Sequence, residues 1–472
     1  MIYTGYYTCI EIYKQLFILK TAIALFLFWR FGVIIKNMEH VTLFQIQYRR
    51  CGTNLASLYL GTSLKKEGIE FGIKIFPCYK LKLDLNKLYS FFADSGEIIA
   101  AGCWSDALPH VLIALKRLKE KFPEKIVILG GVGPTEVAQD IMREFRFIDF
   151  IITGCGIKPL PQLIKTIAIK TNDYSRIGGL VYRKGRAVIT NNRRDFYPVF
   201  LMPEAPDYSL VKNIKSVTKF FIKSCSGCPY ACAHCRIPGL SANKVYYRDI
   251  RKVVEEIKLI KKLKTNNNFY AILDDEAFVL NRKRVIEFCD LLKKERLGVH
   301  WTCYGRVDRM DESLIKIMSE SGCEGIYYGV ESGSNKTLRK INKGFTVEEA
   351  LDVVLMSKKF IKRVTASFIF LYPFETKQEF IQTLMTKAYL ESKGVLTQLH
   401  PLTPVKGSAI YLEYNKTLRL LRDIPSTFHD GITSLPRECI GLIKKYPRIF
   451  YYYYYYYFKA LRQELDLLNH PG

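Results

Sequence analysis

The sequence predicts an α/β protein in which a Rossmann-like, doubly wound parallel sheet is followed by a partial (β/α)6 barrel and a helical C-terminal tail. Three observations carry this expectation. The 472 residues exceed what one ordinary hydrophobic core organises, so two or three domains are expected. About half of them are apolar and a quarter charged, the balance of a chain that folds around cores. Short apolar runs alternate with amphipathic stretches in two long series, the rhythm of parallel strands joined by helices. The expected segments are an apolar extension or anchor at 1–37, a doubly wound domain at 38–170, a linker at 171–215, a barrel at 216–411 and a tail at 412–472.

The first segment stands apart. Residues 16–35 are strongly apolar, yet Lys20 and Arg30 leave only nine uncharged residues between them. A membrane-crossing helix needs roughly 20. No small-residue cleavage site follows. An interfacial anchor, an inefficient span and an upstream extension of the reading frame all remain open. The expectation is a cytoplasmic protein with membrane association through this segment.

From Val41 the first series runs strand 41–46, helix 54–67, strand 71–76, helix 85–92, strand 98–101, helix 108–121 and strand 126–129. That last strand ends on Gly130-Gly131-Val132-Gly133-Pro134-Thr135. Another apolar run, 147–153, leads to Gly154-Cys155-Gly156 and a helix at 160–167. Residues 178–203 have the Gly and Arg content of a hairpin linker. The second series places strands at 219–223, 269–273, 300–304, 325–330, 365–370 and 398–402. Helical patterns at 250–263, 282–294, 311–321, 347–360 and 377–392 separate them, so chemistry is expected at the C-terminal strand ends of a barrel. In the tail, residues 451–457 are all tyrosine, a packed aromatic cap or an interfacial belt.

The formal charge of +26 is spread over helices such as 251–264, as on a solvated basic surface, and no nucleic-acid module accompanies it. Thirteen cysteines in a long, lysine-rich chain do not read as a disulfide framework. Nine are scattered singly, whereas four fall between Cys225 and Cys235.

Three of those four, Cys228, Cys232 and Cys235, lie at spacings of four and three residues in the first loop of the second series. Soft thiolates suit an iron–sulfur cluster or zinc. Three ligands leave one iron of a four-iron cluster open, and a zinc site would instead recruit Cys225 or His234 as a fourth ligand.

The C-x3-C-x2-C spacing after a first strand resembles the cluster motif of the radical S-adenosylmethionine (SAM) superfamily, and the resemblance extends from 219 to 411. It implies a [4Fe–4S] cluster on Cys228, Cys232 and Cys235. It also implies S-adenosylmethionine on the open iron, reductive cleavage to a 5′-deoxyadenosyl radical, and a flavodoxin- or ferredoxin-type electron donor. By the same resemblance Asp274 and Asp275 would orient the methionine ammonium. Arg306 would hold a carboxylate or ribose, with a surface ion pair to Asp308 or Asp311 as its alternative, and Glu331 and Ser332 of Gly329-Val-Glu-Ser-Gly333 would lie near the ribose. Leu371 and Phe374 stand where the family's adenine turn carries glycines. Lys406 replaces the second proline of the closing Thr-Pro-x-Pro-Gly-Thr turn.

The N-terminal domain resembles the cobalamin-binding domain of one radical SAM subfamily through Gly130, Gly131, Pro134 and Thr135 and through Asp149 to Gly156. Cys155 and Ile157 replace two acids of that second segment, and no Asp-x-His-x-x-Gly is present to offer cobalt an axial histidine. A plain doubly wound domain is the alternative. The resemblance implies cobalamin-dependent methyl transfer to a carbon of a small molecule, a lipid or another secondary metabolite. Radical cyclisation, or a cluster protein that has lost catalysis, are the alternatives. No specific nucleic-acid partner is expected, and a peripheral membrane contact is.

Overall fold

The computed structural model describes residues 41–48, 52–78, 82–192, 205–264, 268–421 and 435–469. The apolar segment 1–37 lies outside them. Among the described residues no helix is long and apolar enough to cross a membrane. The expectation of a cytoplasmic protein associated with a membrane through its N-terminus is corrected accordingly.

The first sheet has seven strands, β1 (Val41–Gln47), β2 (Phe71–Pro77), β3 (Ile98–Gly102), β4 (Ile126–Gly130), β5 (Phe150–Ile152), β6 (Leu180–Lys184) and β7 (Ala187–Thr190), in the order β2-β1-β3-β4-β5-β6-β7. The first five run parallel; β1, β3, β4 and β5 are largely apolar and buried, as burial on both faces requires, whereas the edge strand β2 is mostly accessible. Leu64, Leu160 and Leu163 cover one face and Leu88, Val111, Leu112 and Ile141 the other, so the sheet is doubly wound. The 2-1-3-4-5 order reverses direction between β1 and β3, and ligands of such sheets bind outside the strand ends at that point. The stretch expected as a hairpin linker is a hairpin that joins this sheet: β6 pairs antiparallel with β5, and β7 with β6.

The second sheet contains six parallel strands, β8 (Lys219–Ile222), β9 (Tyr270–Leu273), β10 (His300–Gly305), β11 (Cys323–Glu331), β12 (Arg363–Phe370) and β13 (Leu396–Pro401), paired in sequence order. Alternate residues such as Trp301, Cys303, Ile326, Tyr328, Ala366 and Phe368 point into the core shared with the surrounding helices. The intervening residues face the other way, into the concave side of a partial barrel.

A parallel sheet that does not close leaves two unpaired edges, a liability. At β8 the loop after β1 covers one of them: Thr53 N donates to Lys219 O at 2.9 Å and Thr53 Oγ1 accepts from Phe221 N at 3.0 Å. Gly52 packs closely there: a Cβ would meet the Phe221 ring at 3.0 Å and the ring would have to shift. The tyrosine run works as a seam between the two halves. Tyr451 and Tyr453 belong to the core of the first sheet, and Tyr455 and Tyr456 to that of the barrel. Helices Arg437–Lys445 and Leu461–Asn469 flank the run.

Candidate active site

The cysteine loop leaves β8 through a tightly held base. Asp275, just past β9, is buried and accepts hydrogen bonds from Ser224 N at 2.8 Å, Cys225 N at 3.0 Å and the Ser224 hydroxyl. Arg284 donates to Ser224 O at 2.9 Å, and Arg248 donates to Lys223 O at 3.1 Å while ion-paired to the fully buried Glu256. Gly227 has φ +88°, and any Cβ there would collide with the backbone of Lys244. Cys225 is buried in a short ribbon against Tyr247, below the loop.

Beyond this base Cys228, Cys232 and Cys235 are half-buried. Burial pushes the Cys235 thiol up to about 11, and the charges of Cys232 and Cys228 add to the rise, so the three sulfurs sense one another. Burial likewise raises Cys228. Among the described residues no three His, Cys, Asp or Glu side chains converge on a single-ion site, as a tetrahedral zinc would require. A cluster does not need that convergence, because each thiolate holds a different iron.

The other expected residues divide into those that reach the loop and those turned to structural work. Arg306, past β10, points Nη1 at Cys232 Sγ at 3.9 Å, lies 3.4 Å from the Tyr230 ring centre and pairs with Asp308 at 2.7 Å. The ion pair weighed as its alternative therefore exists, beside the thiols. Glu331 takes φ +73° at a register shift between β11 and β12, the kind of bulge that re-aims a side chain. Its Oε1 lies 2.9 Å from Lys343 Nζ and 3.9 Å from His234 Nε2, and His234 is one residue before Cys235. Burial raises the Glu331 carboxyl, but Lys343 and His234 more than offset that and hold it below its ordinary value. Burial lowers the His234 imidazole to about 4, so it is neutral near pH 7.

Ser332 is spent internally: its hydroxyl meets Thr383 Oγ1 at 3.1 Å and accepts from Ser334 N. Gly333 lets this turn press on helix Lys377–Ser392, where a Cβ would come within 2.5 Å of Gln382 O. Asp274 donates its N–H to Ile222 O at 2.9 Å; burial lowers the half-buried Lys223 ammonium, but the charges of Glu276, Asp274 and Asp275 more than offset that and hold it above its ordinary value. Asp275, as described, anchors the loop base. Leu371 adopts φ +68°, a glycine-like conformation held by a leucine whose side chain is fully buried. Tyr372 follows it, stacked on Phe374 at 5.6 Å and edge-on to His234 at 6.4 Å. Two buried polar atoms in this stack, Tyr372 Oη and His234 Nδ1, have no hydrogen-bond partner among the described residues. Buried polar groups are normally satisfied, so this is where a polar ligand fits.

In the first sheet Gly131 has φ +91°, and a Cβ there would lie 2.8 Å from Cys103 O. Gly133 packs as closely on Trp104. Thr135 Oγ1 accepts from Gly154 N at 3.1 Å, and Gly130 ends β4 beside Gly102. These glycines bring the loops after β3 and β4 together, beside the switch point between β1 and β3. Trp104 and Val132 remain exposed there, at 58% and 48%. Glu136, just beyond, ion-pairs with Arg236 and accepts from the Tyr451 hydroxyl. The residue after Cys235 is thereby tied to the first sheet and to the tail.

Residues 222–386 match the family model described as the radical SAM superfamily. The chain carries a radical SAM domain. Over 435 residues it is 27% identical to an uncharacterized methyltransferase of Pyrococcus horikoshii, covering 89% of this chain and 91% of that protein. It is 24% identical to the anaerobic magnesium-protoporphyrin IX monomethyl ester cyclase of a Synechocystis species, over 62% of this chain and 59% of the cyclase. Its fold resembles that of the radical S-adenosylmethionine methyltransferase TsrM from Kitasatospora setae, solved with cobalamin and a [4Fe–4S] cluster bound. The TM-score is 0.66 at 15% identity, over 92% of this chain and 91% of TsrM.

Three contributors escaped sequence reasoning. Lys343, Arg236 and Lys223 lie in loops or at a strand end without periodicity to mark them. A signal did exist for Lys343, since a carboxylate destined for burial at a strand end needs a nearby cation.

Proposed function

We propose that this radical SAM enzyme holds a [4Fe–4S] cluster on Cys228, Cys232 and Cys235, binds S-adenosylmethionine beside it, and transfers a methyl group with cobalamin carried by the N-terminal domain. The observation that carries the reading is the set of three mutually interacting, half-buried thiols at the strand-end mouth of the barrel, ringed by Arg306, Glu331, His234 and Lys343. When bound, the cluster would supply the electron that cleaves S-adenosylmethionine to methionine and a 5′-deoxyadenosyl radical.

The chain's own residues prepare that event. Asp275, Arg248 and Arg284 fix the loop base, so the thiols are presented without a large ordering cost. Glu331, kept ionised by Lys343, offers a buried acceptor suited to vicinal hydroxyls or an ammonium. Arg306 offers a guanidinium at Cys232, suited to a carboxylate. Phe374, backed by the buried Tyr372 ring stacked on it, offers a partly exposed aromatic face to a heterocycle.

For cobalamin the fit rests on the strand ends beside the switch point, where the glycine-packed loops after β3 and β4 expose Trp104 and Val132 as an apolar platform. The group would supply a transferable methyl there. The 27% relative named a methyltransferase supports methyl transfer, and the cyclase relative supports ring formation as the second reading. The basic surface suits an acidic flavodoxin- or ferredoxin-type donor.

The test is anaerobic reconstitution followed by dithionite and S-adenosylmethionine. 5′-Deoxyadenosine above a Cys228→Ala control is expected, with iron and sulfide near four per chain. Colourless protein containing zinc and no sulfide would overturn the cluster. Loss of hydroxocobalamin on desalting would overturn the cobalamin assignment.

A further inference from the structure

We propose that the concave face of the barrel, below the cysteine loop, is the substrate-binding surface, and that it is built for a planar, uncharged molecule with hydrogen-bonding edges, not for an alkyl chain. The inference rests on the reaction proposed above and names the substrate class of that site.

The strand register defines this face in layers. Tyr304, Tyr327, Thr365 and Leu396 pair across β10 to β13, and Gly329, Ser367 and Gln398 form the next layer towards the cysteines. At a rise of about 3.3 Å per residue, Tyr327 lies roughly 13 Å below Glu331 and the Ser367–Gln398 layer about half that. A substrate seated on these layers must extend upward to the mouth to meet a radical formed there, since the reacting atoms have to come within about 3.5 Å.

The far end is closed by polar pairing. Glu324 accepts from Tyr270 Oη at 2.9 Å and meets His300 Nδ1 at 3.0 Å, and Arg363 lies over the Tyr270 ring at 4.9 Å. Entry is therefore from the cysteine side or past the open β13 edge, where Leu396 and Gln398 are exposed.

The wall chemistry decides the class. Tyr304 and Tyr327 meet edge to face, their centroids 5.4 Å apart, which offers an aromatic guest a ring face and a ring edge. The Tyr327 hydroxyl donates to Gln398 Oε1 at 2.8 Å, and His400 Nε2 lies 3.3 Å from the same oxygen. These contacts orient the amide and leave its Nε2 donors for a guest. Thr302, Thr365 and Ser367 add hydroxyls, so an alkyl chain would desolvate them without return. Along β11 to β13 these two layers contain no charged side chain, which disfavours an ionic guest on that wall.

Matched amides test this by ligand-observed NMR on the reconstituted full chain with S-adenosylmethionine present: indole-2-carboxamide against octanamide, which shares the amide but replaces the ring with a chain. The expected result is indole-2-carboxamide bound about 10-fold more tightly. About a 10-fold loss in Gln398→Leu and again in Tyr327→Phe is expected, the weight of one hydrogen bond of about 1.4 kcal/mol. Gln398 is exposed on an edge strand, so its replacement leaves the core intact. Equal or tighter octanamide binding, binding of the indole unaffected by both variants, or no binding of either amide overturns the proposal. Formation of 5′-deoxyadenosine by the wild-type protein without any amide judges the underlying reaction separately.

Discussion

Replacing Asp275 with alanine separates two roles that one carboxylate could fill. As a ligand for the ammonium of S-adenosylmethionine, it would matter to affinity and little to folding. In the structure it serves instead as an anchor, buried and accepting three hydrogen bonds from Ser224 and Cys225 at the root of the cysteine loop. Alanine leaves two buried backbone N–H groups and a hydroxyl unsatisfied, at roughly 1–3 kcal/mol each before relaxation. It also strips a counter-charge from Lys223 and Arg284. Water entry and loop adjustment will recover part of this, so a net loss of about 3–5 kcal/mol is expected, the range for breaking a buried charged network. The assay is urea unfolding of the metal-free chain, alongside iron retained per chain after reconstitution and desalting. Asp275→Asn, which keeps the shape and one acceptor oxygen, should recover about half of the stability and most of the iron. A stability within about 0.5 kcal/mol of wild type for Asp275→Ala, roughly the spread of neutral surface changes, would refute the reasoning and return the residue to a ligand role.

Three further outcomes follow from the same physics. Gly131→Ala places a Cβ 2.8 Å from Cys103 O at φ +91°, so it should cost about 1–3 kcal/mol in thermal unfolding and reduce hydroxocobalamin retention, while Gly185→Ala, with open space at φ +62°, should leave retention unchanged. Glu136→Gln removes the partner of Arg236, and because that side chain is still 21% exposed the loss should be about 1–2 kcal/mol, less than for a sealed pair; hydrogen exchange should quicken at 235–240 and at 451–453 together. Burial raises Glu375 to about 8 and Glu464 to about 10, so the native state binds protons that the unfolded chain releases. Their contribution is complete below the ordinary carboxyl range and is lost as pH rises through about 8 and then about 10, so urea midpoints should fall from pH 6 to pH 9, and less steeply in Glu464→Gln.

The elements and their order are legible in the amino-acid sequence alone, because a buried parallel strand must be continuously apolar and its crossover helix must be amphipathic, and both patterns are local. The cysteine motif is legible for the same reason, since its three thiols lie on one short loop. The work of residues distant in sequence emerges only on folding. Asp274, Asp275 and Ser332 look equivalent to Glu331 as polar residues at strand ends, yet Asp275 and Ser332 are consumed by backbone and hydroxyl partners 50 or more residues away, whereas a bulge turns Glu331 towards the mouth. The hairpin at 180–190 is legible as a hairpin but not as part of the first sheet, since edge pairing depends on which strand is left unpaired. The seven tyrosines carry no periodicity of their own, and their division between two cores follows from the position of the seam between them. Local pattern is written in neighbouring residues, whereas satisfaction of a buried polar group depends on what the fold brings opposite it.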